Sequence, residues 1–339
     1  TAYVSGFVDT TLTHAKILAS VTINGYALPV TGIGSYAFGT NYSSGKTAKY
    51  LSSVEFPSSI TNIGDHAFHG CSQLESVDLP NSLTGIGEYA FMGTNITSME
   101  LPASVSEIGY YAFSHNTTKL TCKSTTPPTL IAGKYDGGSQ PTLQNISIVF
   151  VPDGCVKAYK SVDPWASAVV VDGNGVSVSV NVTPGMLGEE ILNHTNALPD
   201  VNYLTISGAL NEMDINHVKN SMPNLLTIDM AGVDMKIMPN DMFYERKALL
   251  GIILPKNVEE IGSKSFTRCI NLENIVLPEG LKRIDDSYES YSNYGAFYGC
   301  TSLKSVTSPS TLEYIGDYAF SQCTSLKKIE MKSGLSSIG

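Results

Sequence analysis

Two short segments of this sequence carry a motif that could bind a dinucleotide. Residues 32–37 and 85–90 both follow the pattern G-x-G-x-x-A. A dinucleotide site needs a strand before this motif, a helix after it and an acidic residue about 20 positions further along. Here the motif lies within a repeated unit that is too short for that helix, and it recurs because the unit recurs. We therefore interpret both segments as structural.

The histidines offer one close pair that could hold a metal ion, His66 and His69, whose spacing would suit one face of a helix. His66, however, occupies the position that Tyr36, Tyr89 and Tyr111 occupy in other units. This favours an aromatic column at the surface over a metal site. The sequence contains no G-x-S-x-G, H-E-x-x-H, Walker or calcium-loop motif. It therefore predicts no catalytic residue, no metal ligand and no cofactor.

Six cysteines raise the question of disulfide bonds. Cys71, Cys269, Cys300 and Cys323 follow a phenylalanine at the same position of the repeated unit. Stacking of the units would bring the last three within about 5 Å of their neighbours, a distance that permits a bridge. Three stacked cysteines could form only one disulfide bond, so one thiol would remain free. The favoured interpretation is that these cysteines are small, half-buried residues at equivalent positions of stacked units. Whether any of them forms a disulfide bond stays open. No C-x-x-C motif supports a zinc site.

Acidic side chains recur at one position of the repeated unit, between two apolar residues of each predicted strand. In the first half of the chain they are Glu55, Asp78 and Glu100. Side chains alternate between the two faces of a strand, so these carboxylates are expected to point away from the core. Like charges on neighbouring strands repel each other. The column therefore favours a cationic partner or a cation.

The same position in the second half of the chain contains both polar and apolar residues, among them Asp229, Ile253 and Val276. Ile253 and Val276 would expose a small apolar patch, which is typical of an interaction site. The predicted protein-binding face consists of Glu55, Asp78, Glu100, Asp229, Ile253 and Val276. The alternative is an ordinary solvated sheet face.

The element that positions these residues is a repeated unit, and residues 74–91 (LESVDLPNSLTGIGEYAF) are its clearest copy. Leu74, Val77 and Leu79 are predicted to form a strand that ends before Pro80, and Phe91 to fill the core. Similar phrases recur at intervals of 22 to 31 residues. Such a period predicts a solenoid, in which stacked units bury side chains that one unit cannot bury alone. The glycine of each Ile-Gly pair is expected to supply a turn that a Cβ would obstruct.

The repeats fall into two blocks. Residues 1–171 are expected to contain a hairpin cap with a turn at Asn24 and Gly25, the first block, and a terminal segment that ends near Trp165. Residues 172–339 contain the second block, which follows an Asp-Gly-Asn-Gly linker. Insertions interrupt the two blocks at residues 40–49 and 285–294. The sequence stops within a unit at Gly339, so the second block is interpreted as C-terminally truncated.

Composition excludes some classes of partner. The net charge of −10 argues against nucleic acid and against anionic membrane surfaces, because both need clustered lysine and arginine. No apolar run approaches the ~18–20 residues that span a bilayer. The sequence begins at Thr1 rather than at methionine, so a signal or lipoprotein segment is expected to lie outside it.

The repeat resembles a known family. The phrases LESVDLPNSLTGIGEYAFMG, LENIVLPEGLKRI and LEYIGDYAFSQCTSLKKI are similar to the bacterial surface leucine-rich repeats of the BspA-like type, and VFVPDGCVKAYKSVDPWASAV resembles the segment that follows such repeats in Bacteroidetes surface proteins. This resemblance implies a leucine-rich-repeat solenoid, with a parallel sheet of short strands on one side and short helical, 3-10 and loop segments on the other. It also implies an extracellular or outer-surface location and adhesion to host extracellular-matrix or other surface proteins.

The favoured function is therefore that of a non-enzymatic binding module, which recognises protein partners through the sheet face of the solenoid. Glycan binding is the alternative, because Tyr288, Tyr291 and Tyr294 in the second insertion could stack on sugar rings. A role as an accessory domain of an enzyme is less favoured, since no motif supports it.

Overall fold

The computed structural model describes residues 2–7, 9, 11–40, 45–134, 143, 145–285 and 294–339. The chain divides into two compact units, Thr1–Asn174 and Gly175–Gly339. Each unit is a stack of coils whose short strands pair in parallel with the strands of the next coil, and each has its own apolar core. The prediction of a parallel solenoid with few helices is confirmed.

The described residues of unit 1 form thirteen strands. They are β1 (Ala2–Val4), β2 (His14–Lys16), β3 (Ser20–Ile23), β4 (Tyr26–Ile33), β5 (Ser53–Glu55), β6 (Asn62–Ile63), β7 (Gly85–Ile86), β8 (Ser98–Leu101), β9 (Glu107–Ile108), β10 (Lys119–Cys122), β11 (Thr129–Leu130), β12 (Ile148–Phe150) and β13 (Val169–Val171). Strands β1, β4, β6, β7, β9 and β11 form one parallel sheet, β8, β10, β12 and β13 a second, and β2 and β5 a pair.

The two ends of unit 1 are built by different elements. Strand β3 pairs antiparallel with β4 through a turn in which Asn24 and Gly25 both have positive φ, so the predicted two-residue hairpin is confirmed. Near the other end lie helix α1 (Val156–Lys160) and a 3-10 turn (Trp165–Ser167). There the Trp165 indole N–H donates to the Pro128 carbonyl at 3.0 Å, so the single tryptophan is buried with its polar atom satisfied.

In unit 2, twelve strands lie within the described ranges. They are β14 (Val176–Val182), β15 (Val201–Ala209), β16 (Thr227–Asp234), β17 (Ile237–Met238), β18 (Gly251–Ile253), β19 (Glu260–Ile261), β20 (Asn274–Val276), β21 (Arg283–Ile284), β22 (Ser305–Thr307), β23 (Tyr314–Ile315), β24 (Lys328–Glu330) and β25 (Ser337–Ile338). Strands β14, β15, β16, β18, β20, β22 and β24 form one parallel sheet, and β17, β19, β21, β23 and β25 form the other. The helical segments are α2 (Leu187–Leu192), a 3-10 turn (Leu198–Asp200), α3 (Glu212–Asn216) and a π turn (His217–Ser221).

Phenylalanine side chains, which we call the plug residues, form a column through the core of each unit. In unit 2, the rings of Phe243, Phe266, Phe297 and Phe320 stack nearly parallel, with centroids 5.0 to 5.5 Å apart. In unit 1, Phe38, Phe68 and Phe91 repeat the arrangement at 5.2 and 5.3 Å. The three plug residues Phe68, Phe91 and Phe266 are fully buried. Each such ring contributes about 1.5–3 kcal/mol of hydrophobic stabilisation.

The glycines of the Ile-Gly pairs lie where the turn of each coil begins, as predicted. The Gly87 carbonyl accepts the Ala90 N–H at 3.4 Å, and the Gly109 carbonyl accepts the Ala112 N–H at 3.2 Å. Neither glycine adopts a left-handed φ, so the backbone angles of the turn do not require glycine. A Cβ on Gly87 would lie 2.5 Å from the Asp65 nitrogen, and one on Gly109 would lie 2.4 Å from the Glu88 nitrogen. The expected clash with a Cβ is therefore found as well, because these glycines let successive coils approach closely.

One strand predicted in unit 1 is not formed. The segment at residues 74–80 buries Leu74 and half-buries Val77 and Leu79, as the apolar spacing indicated, but it forms no strand. Strand β5 before it pairs only with β2, and β8 after it pairs only with β10 among the described strands. The prediction was wrong because the sequence pattern reports which side chains are buried, not which backbone groups form hydrogen bonds. Alternate side chains can be buried in a segment that has no ladder hydrogen bonds.

Candidate interaction surface

The acidic residues predicted for unit 1 lie in three different settings. Glu55 is on β5, beside Lys16 of β2, and its carboxylate is 3.3 Å from the Lys16 ammonium and 3.4 Å from His14. Glu100 is on β8, and its carboxylate is 3.2 Å from the Lys123 ammonium. Both carboxylates are exposed and have a cation from the same unit as partner. They are therefore less available to an external cation than the sequence suggested.

Asp78 is exposed and lies in the segment at residues 74–80, outside any strand. The structure therefore does not join Asp78 to Glu55 and Glu100 by a ladder register, and the expected column of three like charges on adjacent strands is wrong. The physical reason is the missing strand, because a repulsive column of this kind requires neighbouring paired strands.

In unit 2, by contrast, the predicted residues lie in consecutive register positions. Asp229 of β16 pairs with Ile253 of β18, which pairs with Val276 of β20. Thr205 of β15 precedes Asp229 in the same row. One Asp229 carboxylate oxygen accepts the Ala231 N–H at 2.9 Å, which orients the side chain. The structure thus brings a carboxylate and two aliphatic side chains together on one sheet face.

The two aliphatic side chains are unusually accessible. Ile253 is 55% exposed and Val276 is 81% exposed, whereas Ile252 and Ile275 beside them are buried. An isolated exposed aliphatic residue is common in soluble proteins, but adjacent ones beside a concavity are not. The pair is therefore the most conspicuous apolar feature of this sheet.

A depression of about 440 Å³ lies next to this pair. Gly251 lines it and is in register with Thr227 on one side and Asn274 on the other. Tyr203, one strand beyond Thr227, also lines it. Sequence reasoning missed this depression, although a glycine at an outward position of a strand, where neighbouring units have side chains, is a readable signal for it.

The stacking of the aromatic column predicted from His66 is confirmed, but its surface position is not, because His66 is buried and the three tyrosines are half-buried. The rings of Tyr36 and His66 stack at 4.7 Å, those of His66 and Tyr89 at 4.9 Å, and those of Tyr89 and Tyr111 at 5.5 Å. All four residues have φ between 50° and 58°, so the left-handed turn of each coil falls here. In the part of the chain that the structure describes, no group of three or more metal-ligating side chains comes together.

Neither the G-x-G segments nor the cysteines form a reactive site. Both segments end in turns, and no helix follows either of them. All six cysteines are free thiols. Burial raises the pKa of Cys71 and of Cys269 to about 12, which disfavours the reactive thiolate.

Of the tyrosines predicted to bind sugars, Tyr288 and Tyr291 lie outside the described residues. The Tyr294 ring lies 4.6 Å from that of Tyr298, and the Arg268 guanidinium lies 5.4 Å from the Tyr294 ring centroid. Two protein groups therefore already contact this half-buried ring. Among the described residues, no helix has the length and apolar character required to cross a membrane.

Three solved structures are similar to the chain. The pneumococcal vaccine antigen PcpA is 21% identical over 97% of this chain and 74% of its own, with a TM-score of 0.35. A leucine-rich repeat protein from Bacteroides ovatus is 20% identical over 93% and 86%, with a TM-score of 0.30. A leucine rich cell surface protein from Faecalibacterium prausnitzii is 21% identical over 96% and 88%, with a TM-score of 0.26. No curated protein matches the chain.

The family comparison covers most of the chain. The profile of the BspA type leucine rich repeat region matches six copies, over residues 31–130, 195–294 and 290–339. These ranges contain most of the paired strands of both units, including the strands that carry Asp229, Ile253 and Val276. The chain therefore belongs to the BspA-type leucine-rich repeat family.

Proposed function

We propose that this protein is a non-enzymatic binding module, displayed outside the cell, that recognises protein partners through the sheet face of its solenoid. The observation that carries the proposal is the exposed pair Ile253 and Val276 beside the depression at Gly251. Covering both side chains in a complex would contribute about 2–4 kcal/mol, a useful part of a micromolar affinity. The depression is open to solvent, so it suits a side chain of a protein partner better than a small substrate, which needs an enclosed cavity.

The acidic residues of unit 1 are a second part of the proposal. Glu55, Asp78 and Glu100 are exposed, and Asp78 forms no ion pair with any residue in the described ranges. A basic partner surface could displace Lys16 and Lys123, since exposed ion pairs contribute at most about 1 kcal/mol. We place this surface second because its two glutamates already have cationic partners.

The test is capture of partners by the purified protein from a panel of extracellular-matrix and other surface proteins. We expect the Ile253→Ser/Val276→Ser variant to lose most of the captured protein, because an apolar contact at the centre of an interface carries much of its energy. A matched control is Ser305→Ala/Thr307→Ala on β22 of the same sheet. Equal capture by the Ile253→Ser/Val276→Ser variant and the wild type would show that partners do not use this face.

The charge-reversed variant Glu55→Lys/Asp78→Lys/Glu100→Lys tests the second surface in the same assay. Reduced capture of a basic partner, with an unchanged melting temperature, would support it. Unchanged capture would remove unit 1 from the binding face. The glycan alternative has less support, because the one described tyrosine of its proposed site, Tyr294, is half-buried and already contacts Tyr298 and Arg268.

A further inference from the structure

The depression in the sheet of unit 2 is a notch made by the absence of one side chain. Gly251 lies between Thr227 and Asn274 in the ladder. A Cβ added to Gly251 would have Thr227 Cγ2, at 3.9 Å, as its only neighbour within 4 Å. The space above Gly251 is therefore open, and its φ lies outside the left-handed range. The backbone does not require a glycine here, so the notch itself is the feature to be explained.

The walls of the notch are apolar on one side and acidic at one end. Ile253 and Val276 supply aliphatic surface, and Tyr203 supplies an aromatic ring. Asp229 also lines the notch, and it is in register with Ile253. A side chain that entered would therefore meet hydrocarbon along its length and a carboxylate near its end.

Asp229 differs from Glu55, Glu100 and Glu330, which occupy the corresponding outward position of other strands. Glu55 and Glu100 in unit 1 have lysine partners, and Glu330 pairs with Lys328. Asp229, in contrast, has no ion pair with any cation in the described ranges of the chain. Its one recorded hydrogen bond, from the Ala231 N–H, uses one of the two carboxylate oxygens. The carboxylate therefore retains the capacity to accept a charged donor from outside.

We propose that the notch at Gly251 receives one long cationic side chain of the partner, with arginine preferred to lysine. This inference rests on the proposed function of the sheet face. The methylene stem of such a side chain packs against Ile253 and Val276 while its head stays near Asp229 and water. Arginine is preferred because its planar guanidinium can stack on the Tyr203 ring and donate to a carboxylate at the same time. An acidic side chain is repelled by Asp229.

The probes are blocked heptapeptides of glycine and serine whose central residue is arginine, lysine, norleucine or glutamate. Binding is followed by chemical-shift changes in the ¹⁵N-labelled full chain. We expect saturable shifts at Gly251, Ile253 and Asn274 that are largest with arginine, smaller with lysine and norleucine, and absent with glutamate. Equal shifts from the arginine and glutamate peptides, or no shift from any peptide, would overturn the proposal.

Two variants test the geometry of the notch. Gly251→Val fills it with a side chain that suits a strand, and we expect it to abolish binding of the arginine peptide. Gly85→Val is the matched control, because it is also a strand glycine with no atom closer than 3.8 Å to an added Cβ, and it lies in unit 1. Asp229→Asn keeps the shape and removes the charge, so the arginine peptide should bind roughly fivefold more weakly while the norleucine peptide is unaffected.

The same variants separate this inference from the proposed function. If the Ile253→Ser/Val276→Ser variant loses partner capture but Gly251→Val and Asp229→Asn retain it, the sheet face is the binding surface and the notch proposal is wrong. If the wild-type face captures no partner, the proposed function fails. The notch proposal is supported, whether or not a partner is captured, if the wild type binds the arginine peptide and both Gly251→Val and Asp229→Asn bind it more weakly.

Discussion

Cys300 and Phe266 are joined across adjacent coils, because the Cys300 thiol donates a hydrogen bond to the Phe266 carbonyl oxygen at 3.1 Å. Cys269 and Cys323 make the same bond to the plug residue one coil earlier, at 3.0 and 3.1 Å. Each thiol thus satisfies a backbone acceptor inside the core, where water is excluded. The recurrence of cysteine at this position is therefore explained by packing and hydrogen bonding rather than by cross-linking.

We predict that the buried thiols do not react with a thiol reagent in the native protein at pH 8. Burial raises the pKa of Cys71, Cys122 and Cys269 to about 12, so almost no thiolate forms, and burial also blocks access. Cys155 is partly exposed and should react first. Counting the labelled thiols by mass spectrometry checks this, with all six labelled in denaturant as the control. Rapid native labelling of Cys269 would contradict the structure of the core.

Two glycines of the same coil provide a sharp test of how the coils pack. A Cβ on Gly85 would lie 3.8 Å from its nearest neighbour, whereas one on Gly87 would lie 2.5 Å from backbone atoms of the previous coil. We therefore expect Gly87→Ala to destabilise unit 1 by about 1–3 kcal/mol or more, through overpacking. Gly85→Ala should change the stability by less than about 1 kcal/mol.

Urea unfolding followed by Trp165 fluorescence measures both glycine variants, because the single tryptophan is buried in unit 1. If Gly87 served only as a flexible turn residue, the two variants would have similar midpoints. A clear difference between them would support close approach of the coils as the reason for the Ile-Gly pairs.

Much of the fold could be predicted from the sequence, because a repeat multiplies each local signal. The spacing of Phe243, Phe266, Phe297 and Phe320 placed the plug column correctly, and the tyrosines at the His66 position indicated the aromatic column. These predictions succeed because equivalent residues of successive coils must stack.

Features that break the repeat could not be predicted in the same way. The segment around Val77 has the apolar pattern of a strand, yet it lacks ladder pairing, which depends on the distance to its neighbours rather than on its own residues. Arg246 occupies the position that cysteine occupies in the next coil, and its role depends on a helical segment that belongs to no other coil. The notch at Gly251 depends on the side chains of three other strands.

Arg246 should be the most important charged residue for the stability of unit 2. Its half-buried guanidinium donates to the carbonyl oxygens of Met222, Val218 and Lys219 at 2.7 to 2.8 Å. These acceptors lie at the end of the π turn, where carbonyls lack partners within the helix. We expect Arg246→Ala to lower the free energy of unfolding by about 2–4 kcal/mol, because it leaves buried acceptors unsatisfied.

The matched control for Arg246 is Arg268, whose guanidinium makes an exposed ion pair with Glu245 at 2.6 Å. Arg268→Ala should cost less than about 1 kcal/mol, as is usual for exposed ion pairs. Scanning calorimetry of the full chain compares the two variants. Arg246→Lys should recover only part of the loss, since a single ammonium cannot reproduce the geometry of a guanidinium. Similar melting temperatures for the two alanine variants would contradict the proposed role.

The stability of unit 1 should fall when the pH is lowered, because of His66. Burial between Tyr36 and Tyr89 lowers the pKa of His66, and the nearby Asp65 carboxylate opposes this only in part. The unfolded chain then takes up the proton at about pH 6.5, before the folded chain does. The free energy of unfolding is therefore expected to decrease as the pH falls below about 6.5, and to level off below the pKa of the folded state.

Replacement of His66 by tyrosine tests this directly, because three other coils of unit 1 already have tyrosine at this position. We expect His66→Tyr to keep the ring stack and to reduce the loss of stability between pH 7.5 and pH 5, as followed by Trp165 fluorescence in urea. His69 should retain a smaller dependence in the same direction, since burial also lowers its pKa. The exposed His115 in the same unit serves as the control, as His115→Gln. An identical pH dependence in wild type and His66→Tyr would show that another group controls the acid sensitivity of unit 1.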